Sequence, residues 1–297
     1  MDSNKSQVQR AGLLYVLASS PAPFAYLYVP GVLVVKGDAL ATADRVRASE
    51  NLLRAGIVAE LYGVTILVFA ALALYQVFKT VDRKASLLMA AMMLVSVPIS
   101  YGNVLNDIAP IVLLKNAAFA SVLDAGQLAA QVMFFLRLHD YGLIINQIFW
   151  GLWLFPMGVL VRRSGFIPGW LAFPLFFAGA GYVVNSLGTL LLPPSLRWIT
   201  DYGQVLGVGE AVFTFYLLIW GARGHVVDRV AAFLVVLSFV IGTGALLLLN
   251  LKRIDATQYG VLVLVSLVAT IGMVMRWRWA ESSNSRSTTA GMTPAVP

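Results

Sequence analysis

Long apolar runs separated by short charged ones set the pattern of this chain, and most runs are long enough to cross a hydrocarbon core of about 30 Å as a helix. The clearest pair lies between Asn146 and Pro194, where two apolar helices flank the tight basic connection Arg162-Arg163-Ser164-Gly165-Phe166-Ile167-Pro168. That is the pattern of a transmembrane hairpin. Upstream, spans are expected at about Gly12 to Val35, Ala55 to Phe78, Ala85 to Asp107 and Ala117 to Leu138. Downstream they are expected at about Tyr202 to Trp220, Asp228 to Leu251 and Gln258 to Met275. The expected fold is all-α, a polytopic transmembrane helical bundle of nine helices.

Polar positions inside these spans recur at helical spacing. In the third span Met89, Met93, Ser96, Ser100, Asn103 and Asp107 fall on one face. The fourth carries Ser121, Asp124, Gln127 and Gln131, the sixth Ala178, Tyr182, Asn185 and Thr189, and the seventh Gly203, Gly207, Glu210 and Thr214. Polar groups facing hydrocarbon cost free energy, so these stripes are expected to converge on one interior. The first span holds Pro21, Pro23 and Pro30 and is expected to be kinked and packed against protein. Between it and the second, Asp44, Arg47, Glu50 and Arg54 alternate in sign at helical spacing, which predicts an interfacial helix.

Composition agrees with the membrane reading. Charged residues make up 12% of the 297-residue chain and hydrophobic ones 59%, against globular averages of about 25% and 45–50%. The first apolar run is too long and too proline-rich for a cleavable signal peptide, so it is expected to stay. Cysteine is absent, which removes disulfides, thiolate ligands and thiol nucleophiles. The net charge of +7 sits in short loops and helix ends, where it anchors headgroups, and no nucleic-acid partner is read from it. The N-terminus is expected in the cytoplasm, which would place Lys79, Arg83 and Lys84 inside.

Three groups of motifs carry a family resemblance. One is Phe149-x-Gly151-Leu152-x-Leu154-x-Pro156-x-Gly158, then Arg163-Ser164-Gly165-Phe166-Ile167-Pro168 and Gly179-x-Gly181-Tyr182. The second is Val29-Pro30-Gly31, Gly37-Asp38, Ala41-Thr42-Ala43 and Ala48-Ser49-Glu50, followed by Leu53-Arg54-x-Gly56-Ile57. The third is Gly209-Glu210 leading to Leu218-Ile219-Trp220-x-x-x-Gly224. Together they resemble the bacterial DUF4386 family of multi-pass membrane proteins over roughly residues 10–222, a resemblance that implies no reaction or substrate. The expected organisation is a polar head (1–10), a core of seven family-like helices (11–222), two appended helices that support packing or association (223–279) and a disordered tail (280–297).

Glu210 is the leading candidate for chemistry: a mid-span carboxyl beside glycines must be protonated or paired, as general acid, proton carrier or ligand anchor, or as helix glue bonded to Asn103, Asn185 or Gln131. Asp124 is expected roughly two turns into the fourth span as a second acid, and Glu60 as a third, with snorkelling to the interface as its alternative. Asp107 reads as a boundary residue. Ser100, Asn103, Gln127, Gln131, Tyr182, Asn185 and Thr214 are the expected ligand-lining groups. Arg162 and Arg163 are membrane-face anchors able to hold a headgroup or phosphate, and Asp38, Glu50 and Arg54 a solvated ladder. No mid-membrane lysine suits a retinal Schiff base, and His139 and His225 read as single and loop-proximal, so no metal and no cofactor is expected.

These groups favour an intramembrane acidic pocket for a lipophilic small molecule, with non-redox acid–base chemistry such as isoprenoid-like cyclisation or isomerisation as one use. A proton-coupled small-molecule transporter and an accessory or structural membrane protein are the alternatives. Membrane lipids are the expected partners.

Overall fold

The computed structural model describes residues 2–196, 198–200, 206 and 209–221, and among them every regular element is helical. The elements are α1 (Asp2–Ser19), a π-helical turn (Phe24–Tyr28), α2 (Val29–Leu33), α3 (Ala39–Ala48), α4 (Glu50–Phe78) and α5 (Arg83–Lys115). Then come α6 (Ala117–Val122), α7 (Ala125–Leu152), α8 (Leu154–Ser164), α9 (Ala172–Leu191) and α10 (Gly209–Ile219). Five helical stretches are long and apolar enough to cross a membrane: Gln7–Leu33, Glu50–Phe78, Arg83–Lys115, Ala125–Ser164 and Gly169–Leu191, with Gly209–Ile219 as a shorter apolar helix. The protein is a polytopic transmembrane helical bundle. The expected spans beyond residue 222, the tail, and the stripe positions Gly203 and Gly207 lie outside the described residues.

Local chemistry explains the boundaries. The first span is interrupted where expected: α1 stops before Pro21, and the chain resumes in the π-helical turn and α2. Asp38 caps α3 by accepting from the Ala41 N–H at 2.9 Å, and Asp82 caps α5 by accepting from Ala85 at 3.0 Å. Gly165, at φ 68°, supplies the left-handed residue that ends α8.

The expected fourth and fifth spans form one path, Ala125–Ser164, with a break only at Trp153. The polar cluster Arg137, His139 and Asp140 suggests a loop in the sequence, yet each charge has a local solution on a helix. Arg137 pairs with Asp140 at 3.3 Å on the outside, while His139 turns inward. Gly142 lets Asn103 of α5 lie directly against α7.

Loop contacts fix the direction of each helix. Gln9 of α1 donates to the Ile219 carbonyl at 3.4 Å, and Arg163, at the end of α8, pairs with Asp82, ahead of α5, at 2.9 Å. The first span and α4 run antiparallel, with Gly63 against Ala18 and Gly56 against Val29, so the start of α1, the 79–82 turn, the 162–168 connection and the end of α10 share one face. On the opposite face, Glu50 at the start of α4 holds Lys115 at 2.9 Å and Arg54 at 2.6 Å. Of the predicted ladder the Glu50–Arg54 pair is present and Asp38 is instead the α3 cap, while Glu50 also ties α4 to α5 through Lys115.

The bundle is packed inside and apolar outside. Val29, Leu33, Leu53, Ile57, Val104, Ile111, Val132 and Leu136 form a core joining α2, α4, α5 and α7. Val58, Phe69, Leu87, Leu105, Phe134, Phe173 and Phe177 are exposed, as residues facing lipid chains should be. Met89, Met93, Ser96, Ser100 and Asn103 of the α5 stripe are all buried, so that stripe faces the interior as predicted.

Candidate functional site

Two polar clusters, the first half-buried and the second buried, lie at different depths. The first is built on Glu210, nine residues before the end of α10 and so roughly 14 Å along the helix from it. Its carboxyl accepts from the hydroxyl of Tyr15 on α1 and, at 2.9 Å, from the hydroxyl of Tyr182 on α9. Three helices meet on one carboxyl. Indole rings wall the cluster: Trp153 lies edge-on to Tyr15 at 5.4 Å between centroids, and Trp150 to Tyr182 at 6.4 Å. With both oxygens occupied by phenols, Glu210 can exchange a proton with either hydroxyl or bind a polar group that displaces one of them.

The second cluster lies toward the opposite face. Glu60, ten residues and roughly 15 Å from the start of α4, contacts His139 Nε2 of α7 at 3.0 Å through Oε2. Asp107 of α5 lies 3.6 Å from the same nitrogen. Asn103 donates to the His139 backbone carbonyl at 3.0 Å and accepts from Asn106 at 3.1 Å. Tyr26 stands 6.5 Å from His139 and 6.3 Å from Trp150, ring to ring, so aromatic contacts link the two clusters.

These placements revise several expectations. Glu60 does not snorkel: its side chain is 2% exposed and is paired inward. Asp107 is mostly buried beside His139 instead of marking a boundary. His139 is not loop-proximal; it lies within α7, with two carboxylates supplied by other helices. Asp124 is not two turns into a span but the N-cap of α7, in a capping box with Gln127 at 2.8 and 3.1 Å, and both are exposed. Ser121, Asp124 and Gln127 of the fourth-span stripe are exposed and therefore do not join the other stripes, and Gln131 is half-buried.

The remaining candidates divide. Tyr182 touches Glu210, while Thr214 bonds the Glu210 carbonyl of its own helix at 2.9 Å. Ser100 accepts from Asn146 at 2.7 Å, and Asn185 donates to Gln147 at 2.6 Å, which lays a polar line between the clusters. Arg162 is exposed and Arg163 holds Asp82, whose carboxyl is drawn below the usual range chiefly by the Ala85 N–H and also by Arg163. Tyr15 and Tyr26 escaped sequence reading, because a tyrosine in an apolar run gives no sign of what lies opposite it.

The sequence profile of the family described as "Domain of unknown function (DUF4386)" matches residues 10–221. An uncharacterized protein of the archaeon Archaeoglobus fulgidus is 30% identical over 159 residues, covering 52% of this chain and 77% of the relative. No solved structure matches the chain. The profile match takes in both polar clusters, and the chain belongs to the DUF4386 family.

Proposed function

We propose that the protein binds a lipophilic small molecule within the cell membrane at the Glu210 cluster, and that its chemistry there is non-redox acid–base work. The observation that carries this reading is one half-buried carboxyl held by phenols from two other helices and walled by Trp150 and Trp153. A carboxyl with two hydroxyls can deliver or take a proton, and indole and phenol faces stabilise a cation formed in an apolar substrate. An isoprenoid-like molecule offers both the apolar length and the protonatable double bond. Lys79, Arg83, Lys84, Arg162 and Arg163 share the face of the N-terminus, which supports a cytoplasmic N-terminus by the positive-inside rule.

A proton-coupled carrier is the second reading, favoured by the polar line of Asn185, Gln147, Asn146 and Ser100 that continues from Tyr182 toward the other half of the bundle. Titration of nanodisc-embedded protein with isoprenoid alcohols and acids, followed by tryptophan fluorescence, tests the binding claim. Saturable binding weakened about tenfold in Glu210→Gln is expected from loss of a charged hydrogen bond. Equal affinity in wild type and variant would overturn it.

A further inference from the structure

We propose that Glu60, Asp107 and His139 form a binding site for a divalent first-row transition cation of the zinc or manganese kind, separate from the Glu210 cluster. One imidazole nitrogen and one oxygen from each carboxyl lie within 4.8 Å of one another, a spacing that small side-chain movements close around a single ion. The donors come from α7, α4 and α5, so the ion would join three helices.

Two further observations point to a ligand. Glu60 Oε1 is buried and receives no hydrogen bond of ordinary geometry, the other oxygen of the same carboxyl being on His139 and the Tyr26 hydroxyl lying close to the carboxyl. A buried acceptor without a well-formed hydrogen bond, beside an imidazole and a second carboxyl, is available as a ligand atom. Two of the three donors, Asp107 and His139, line a cavity of about 30 Å³ together with Tyr26, Gly56, Asp140 and apolar side chains; Glu60 is not part of the lining. That volume holds an ion with a water, and is too small for a lipophilic molecule.

Charge balance leads the same way. With both carboxyls ionised and the imidazole neutral the three donors would carry two negative charges; no Lys or Arg lines the cavity, and Asp140, which does, is paired with Arg137. A protonated imidazole would cancel one of these charges, and a divalent cation cancels both. The mixed nitrogen and oxygen donor set, without sulfur, suits zinc, manganese or ferrous iron better than copper(I) or magnesium. Three protein donors and an adjoining cavity leave a coordination position open for water or a small ligand. Asn103, bonded to the His139 backbone, and Asn106 behind it fix the turn of α7 that presents the imidazole.

The test uses the full-length protein in nanodiscs, stripped with chelator and dialysed against zinc or manganese. Mass spectrometry of the metal content should find about one tightly held ion per chain, with affinity lowered roughly 100-fold or more in Glu60→Gln and His139→Gln. Asp44→Asn, which alters an exposed carboxyl paired with Arg47, should leave both unchanged. Should a ligand variant fail to fold, pulsed magnetic resonance of the manganese-loaded His225→Gln protein decides the matter, since its single remaining histidine must then give nitrogen coupling. Absence of bound metal in the wild type, metal retained in both ligand variants, or manganese bound without nitrogen coupling each overturns the proposal.

Discussion

Gly151 and Gly179 pack backbone to backbone where α7 crosses α9, one turn from the Tyr182 that reaches Glu210. A Cβ on Gly151 would meet the Gly179 carbonyl oxygen at 2.6 Å, the Val183 Cγ2 at 2.7 Å and the Tyr182 Cβ at 3.2 Å. The carbonyl cannot swing aside as a side chain can, so α9 must retreat by about 1 Å to restore ordinary contact near 3.5 Å. Such overpacking costs about 1–3 kcal/mol, and a backbone obstacle argues for the upper end. The same retreat stretches the 2.9 Å Tyr182–Glu210 hydrogen bond beyond the usual O–H···O range. Gly151→Ala is therefore expected to lower thermal stability in detergent and to weaken ligand binding at Glu210 together. Gly102→Ala is the matched control, since nothing lies within 4 Å of its Cβ position, and it should be neutral or stabilising by about 0.5–1 kcal/mol through helix propensity. If the two variants melted alike, the close crossing would be wrong, and with it the account of how Tyr182 is placed.

Two more outcomes are expected. Asp124→Ala should cost about 1 kcal/mol as a lost N-cap while Asp124→Asn costs little, and neither should change binding at Glu210; loss of binding in a folded Asp124→Asn protein would restore Asp124 to the site. The Asp82 carboxyl is held below the usual range in the folded protein, so its stabilisation is complete above a pH of about 4 and is lost as pH falls through the depressed value. Thermal unfolding of wild type and Asp82→Asn, which keeps the cap, should show a gap that closes toward low pH; a gap independent of pH contradicts this.

The fold was largely legible because a membrane imposes simple rules. Apolar length gave the spans, and the helical spacing of Met89, Met93, Ser96, Ser100 and Asn103 gave an inward face that proves buried. Charge rules failed at His139. Arg137, His139 and Asp140 look like a loop when counted as polarity, but on a helix two pair outward and one inward. The same error misplaced Asp124, whose spacing with Gln127 fits a capping box as well as a buried stripe. Neither cluster could be assembled from the chain, since Glu60, Asp107 and His139 come from three helices, as do Tyr15, Tyr182 and Glu210. Spacing within one helix records which face a residue occupies, and only packing records what stands opposite.

The central claim, that Glu210 and its two tyrosines hold a lipophilic molecule, is tested most directly by mass spectrometry of what co-purifies with the protein. Wild type, Glu210→Gln and Tyr182→Phe would be extracted from the same membranes at equal yield and compared. The account predicts a discrete apolar species enriched over bulk lipid in the wild type and reduced about tenfold in each variant, as loss of a charged hydrogen bond implies. The same lipid profile in all three proteins would contradict it.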